Sequence, residues 1–160
     1  MPAPARLADA AAFYRLNEQH FDKGFKGVEP DEWVRSPKET SNSLLWIAGH
    51  LVWARSMAAK LLGSAWTRPW LDQFARGAKP GDQHQAPSPE EVVRGWHEVS
   101  NHLNTALENA SDEALDAPFR PPSFDGKIGG MVSFLAHHEA YHIGQIAYLR
   151  RWLGHDGVAG

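Results

Sequence analysis

The chain has no cysteine, and that single absence removes disulfides, thiolate metal ligands and a cysteine nucleophile together. It also lacks a basic run. With a net charge of −3, nucleic acid is not expected as its main partner. No apolar stretch is long enough for a membrane: the longest, "LLWIAGHLVWA", is too short to span one and is interrupted by His50. The N-terminus "MPAPARLADAAAF" has no continuous apolar core and carries Asp9, so no signal peptide is expected and a cytoplasmic protein is the default. Strand-like alternation, internal repeats and low-complexity tracts are missing. So are a Gly-x-Ser-x-Gly elbow, a Walker loop and a dinucleotide fingerprint.

What the chain does have is helical periodicity. At 160 residues, 42% hydrophobic and 22% charged, it has the size and composition of one globular domain. Four segments repeat apolar residues at helical spacing. The first, 7–24, carries Leu7, Ala10, Phe13 or Tyr14, Asn17 and Phe21. The second, 42–62, follows the capping residues Thr40-Ser41-Asn42 and carries Leu44, Ile47, Leu51, Ala54, Ala58 and Leu61. In the third, 88–109, Ser88 and Glu91 form a capping box around Pro89, ahead of Val92, Trp96, Val99, Leu103 and Ala106. The fourth, 129–153, ends with Arg150 and Arg151 in its last turn and Gly154 just beyond.

Segments 26–40, 64–87 and 111–128 are rich in Pro, Gly and Asp and read as loops. The expected fold is therefore all-α, a four-helix bundle with a long connection between helices two and three. That connection, holding Trp66, Trp70 and Phe74, is expected to run the length of the bundle and let helices two and three lie parallel.

Helix four has histidines where leucines should be. Its stripe runs Met131, Leu135, His138, His142, Leu149 and Leu153, with Ile146 beside it. His138 and His142 lie one turn apart and leave the same face toward the interior. An unsatisfied buried imidazole costs roughly 1–3 kcal/mol, and a divalent metal satisfies both rings at once. Core histidines bonded to each other or to carbonyls would answer as well for the pair alone. A third inward histidine tips the balance: His50 falls on the line Ile47, His50, Ala54, Met57, Leu61 of helix two. His137 points about 100° away and cannot join them. Gly49 and Gly144 flank the site, either for close approach of the backbone or merely tolerated.

The literal H-E-x-x-H at 138–142 is not a protease signature here. Metzincin spacing would need glycine at Gln145 and histidine at Tyr148, and no glutamate follows Glu139. His155, past the helix stop, is a poor substitute. Glu139-x-x-His142 is half of a di-iron motif, but the second half is absent. Glu139 is expected off the stripe, toward solvent or behind a neighbouring ligand. Gln145, one turn after His142, is expected to bond a water or substrate at the metal, or to sit at the stripe's edge. His20, His84, His97 and His102 read as surface or satisfied residues.

The residues "SNSLLWIAGHLVWAR" (41–55) and "HEAYHIGQIAYLRRWLG" (138–154), at this separation, resemble the DinB-like (DNA-damage-inducible) bundle proteins. The resemblance extends over the whole chain as a single domain. It implies a four-helix bundle, often a homodimer, with a divalent metal, nickel or zinc, on His50, His138 and His142. It also implies relatives that are thiol-dependent transferases and isomerases, using low-molecular-weight bacterial thiols. Two functions stay open: metal-dependent thiol transfer or hydrolysis of a small-molecule substrate, and a non-catalytic metal-binding or stress-response interaction protein. An open site with exogenous ligand positions, walled by Trp66 and Trp70, is expected for the first; a sealed site would favour the second.

Overall fold

Backbone donors at a helix start need partners, and the sequence supplies them at three of the five starts. Ser43 Oγ accepts from Trp46 N, one residue later than the Thr40-Ser41-Asn42 cluster expected from the sequence. Ser88 and Glu91 make the capping box in full, with Pro89 first in the helix. Ser111 Oγ accepts from Ala114 N. The computed structural model describes residues 2–79 and 85–158. Within them the helices are α1 (Ala8–Phe25), α2 (Leu44–Leu61), α3 (Pro89–Glu108), α4 (Asp112–Asp116) and α5 (Ile128–Trp152). Four are long. The short α4, in a segment expected to be loop, buries Leu115 beneath α5, and that contact rather than any periodicity holds it. Among the described residues there is no named strand, and no helix is long and apolar enough to cross a membrane.

Contacts fix the directions. Tyr14 bonds Val132 while Gly24 lies against Ile146, so α1 and α5 run side by side in the same sense. Gly95 packs against Val52, and Arg55 bonds Ser100, so α2 and α3 are parallel as well. His50 meets His138 and His142, whereas Ala58 shares a cluster with Leu135 and Val132 farther back along α5, making α2 and α5 antiparallel. The order is up-down-down-up. The 62–88 connection must therefore return along the bundle from the end of α2 to the start of α3. On the way it forms a 3-10 turn, Leu71–Phe74, that packs on α2.

This return explains why α2 is buried on nearly every side, not along one stripe. Phe74 lies on Gly49 so closely that a Cβ there would sit 2.4 Å from its ring. Phe13, one of two alternatives for the α1 stripe, is 52% exposed, and Tyr14 takes the inward position. Two apolar clusters fill the interior. Phe21, Leu44, Trp96 and Ile146 belong to one; Leu7, Ala58, Leu107 and Val132 belong to the other. A layer of buried polar side chains separates them: Asn17, Arg55, Ser100 and Glu139, one from each long helix.

Candidate metal centre

His50 projects from α2, and His138 and His142 from successive turns of α5. One ligand nitrogen from each lies within 4.8 Å of the other two. His138 Nε2 is 3.3 Å from His50 Nε2 and 3.1 Å from His142 Nε2. Two imidazole–metal bonds of about 2.0–2.1 Å, at angles from square to tetrahedral, place their nitrogens roughly 2.9–3.4 Å apart. The observed separations fall in that range.

The outer ring atoms decide which nitrogens face inward as lone pairs. His50 Nδ1 donates to the Phe74 carbonyl at 2.7 Å, and His142 Nδ1 donates to Gln145 Oε1 at 2.7 Å. Neutral rings with their hydrogen on Nδ1 present Nε2 as acceptors only. His138 can place at most one hydrogen between two such neighbours, and its buried Nδ1 has no partner. The protein therefore cannot satisfy this cluster of lone pairs by itself; a cation satisfies them together. Burial lowers the basicity of all three rings, His138 to about 3 and His142 to about 4, so each is neutral and available as a ligand at pH 7. These side chains fit a divalent metal ion.

The walls differ from those expected. Trp66 stacks with Arg68, and Trp70 packs edge-on to Phe74 and against Gly95, so neither faces the histidine focus. Trp46 and Trp53, one turn either side of His50, sandwich its ring at 4.8 and 5.4 Å. Helical spacing could have suggested them, because i±3 and i±4 neighbours share a face. Phe134 stacks on His138 from the α5 side.

Of the two placements expected for Glu139, toward solvent or behind a neighbouring ligand, the first does not occur. The residue is fully buried, held by both arms of the Arg55 fork, Nε to Oε1 at 2.8 Å and Nη2 to Oε2 at 2.7 Å. Asn17 Nδ2 adds a third donor. Burial pushes the Glu139 carboxyl up, and Arg55 and Asn17 pull it back. Three donors aimed at its two oxygens leave no acceptor for an acid proton, so the group is a carboxylate. Arg55 also donates to Ser100 Oγ and Tyr14 O, and lies 3.7 Å over the Trp96 ring. Nothing in the periodicity points to this network, because both charges sit off the stripes drawn for their helices.

Gln145 is half-buried and bonds His142 rather than facing the focus. His137 is exposed, against Phe124 and away from the other three. His102 is exposed, and His97 pairs with Asp22 and His155 with Glu32. His20 is half-buried, and His84 lies outside the described residues. Gly144 has nothing near it, so the close approach considered for both glycines applies to Gly49 alone.

Four long helices with an inward three-histidine cluster shared by two of them define a helical bundle whose centre could hold a metal ion. The chain belongs to the DinB superfamily, whose family model matches residues 14–146. No curated protein matches it.

Proposed function

We propose that this protein binds one divalent metal ion, nickel or zinc, through His50, His138 and His142, and acts as a metal-dependent enzyme on a small molecule, as a thiol-dependent transferase or a hydrolase. The observation that carries the reading is the convergence of three neutral imidazole nitrogens on one point. An all-imidazole set suits either metal and leaves coordination positions for an exogenous ligand. When bound, the ion would supply Lewis acidity, enough to bring the pKa of a thiol or water down toward about 7. Phe74 and Gln145 would fix the tautomers of His50 and His142, keeping both lone pairs aimed inward.

A cleft of about 730 Å³, lined by Lys38, Thr40, Asn42, Tyr141 and Gln145 and by none of the three histidines, adjoins the centre through Gln145, which bonds His142. The cleft's amide and hydroxyl groups and the Lys38 cation suit a small polar molecule bound next to the centre. A homodimer is part of the same proposal, and size-exclusion chromatography with light scattering tests it.

The central experiment is metal analysis of protein purified without added metal, followed by a thiol-dependence assay. About one ion per chain is expected. Small thiols or imidazole should perturb the spectrum of a cobalt- or nickel-substituted sample, and His50→Ala should abolish the response. A fully loaded protein that responds to no exogenous ligand would remove the enzyme reading.

A further inference from the structure

Arg55 and Glu139 form an ion pair with 1% and 0% of their side chains exposed. Stability alone does not account for such a pair. Replacing a buried ion pair by apolar side chains of similar volume is often neutral or stabilising, while removing one partner is strongly destabilising. Its position offers a better account. Glu139 follows His138 directly on α5, and Arg55 lies little more than one turn beyond His50 on α2. The two helices that carry the histidines are thus cross-linked beside them.

Other contacts act on the same stretch of α5. Tyr14 donates to the Val132 carbonyl, and Asn17 donates to both the Ala136 carbonyl and Glu139. Ser100 and the Tyr14 carbonyl take two more donors of Arg55, and its Nη1 also lies 3.7 Å from the half-buried Glu18 carboxylate. A planar fork meeting a carboxylate fixes angle as well as distance, which an apolar contact does not. That precision matters at this place. Rotating α5 by about 20° would carry an atom at a side-chain radius of about 5–6 Å through roughly 2 Å. Metal–ligand distances tolerate about 0.2 Å.

We propose that the Arg55–Glu139 pair is a positioning device for the histidine centre, fixing the phase of α5 against α2 so that His138 and His142 meet His50. It rests on the metal reading above, since metal affinity is what it controls. Arg55 and Glu139 do not touch the ion; they act through the helix that presents its ligands.

The test is cobalt(II) titration of metal-stripped protein, read by visible absorption, beside urea unfolding and far-ultraviolet circular dichroism. The double variant Arg55→Met/Glu139→Leu exchanges the pair for apolar side chains of similar size. It should keep wild-type helicity and a urea midpoint near or above wild type, yet bind cobalt about 10- to 100-fold more weakly. Leu107→Ala, in the cluster of Leu7 and Leu115 and outside the Arg55 network, supplies the contrast: it should lower the urea midpoint without changing cobalt affinity. If the double variant does not fold, Glu139→Gln decides, with the same loss of affinity expected. A folded variant of either kind with wild-type affinity and spectrum overturns the proposal. So does a loss of affinity that merely follows stability, with Leu107→Ala on the same line. Wild-type protein that takes up no cobalt overturns the metal reading, and this inference with it.

Discussion

His137 and His142 differ by helical phase, and that difference is measurable. His137 is exposed against Phe124, while His142 faces His138 and His50. His142→Ala should therefore remove most bound metal, and His137→Ala should leave metal content unchanged, by elemental analysis of the purified variants. Equal losses would mean that α5 presents a different face to the centre. Gln145→Leu tests the outer contact of His142: losing the acceptor on Nδ1 frees the other tautomer and should weaken metal binding about tenfold or more. Unchanged affinity in a cobalt titration would show that Gln145 does not orient the ring. The grouping of His50, His138 and His142 is legible in the sequence because histidine on an apolar stripe breaks a pattern. Arg55 and Glu139 are not legible that way. A charge off the stripe reads as exposed, and only the pairing of one charge on α2 with another on α5, far apart in the chain, makes burial tolerable for both.

Each long helix announces itself through its own residues, as with the Ser88-Pro89-Glu91 start of α3 and the Gly154 stop of α5, where φ is +93°. What no single segment announces is the covering of one element by another. The 3-10 turn at Leu71–Phe74 lies on α2, and the glycines of the two ligand helices differ for that reason. At Gly49 a Cβ would lie 2.4 Å from the Phe74 ring; at Gly144 it would meet nothing within 4 Å. Gly49→Ala must displace Phe74, whose carbonyl holds His50, so it should destabilise the fold by about 1–3 kcal/mol and weaken metal binding as well. Gly144→Ala should stabilise α5 by up to about 1 kcal/mol, the ordinary gain of alanine over glycine within a helix. Urea unfolding of the two variants checks both signs. Two destabilised variants would place a neighbour over Gly144 that the fold does not have.

At the scale of the whole molecule the three rings couple folding to protons as well as to the proposed metal. With the metal stripped, His138 titrates near 3 and His142 near 4, and His50 lies below its usual value, each lowered chiefly by burial. In the unfolded chain these residues titrate near about 6.5. As pH falls through that value, the unfolded state takes up protons that the folded state refuses, so stability declines with each step of acidification. The decline attributable to His142 should level off near pH 4, and that of His138 near pH 3, where the folded rings also become charged. Replacing His138 by glutamine removes one such site and leaves every other titrating residue in place. Urea unfolding of stripped wild type and of His138→Gln between pH 7 and pH 4 should therefore show the wild type losing more stability over that interval. Parallel curves would mean that His138 accepts a proton as readily in the folded chain as in the unfolded one, and the dry, neutral imidazole cluster on which metal binding depends would not exist.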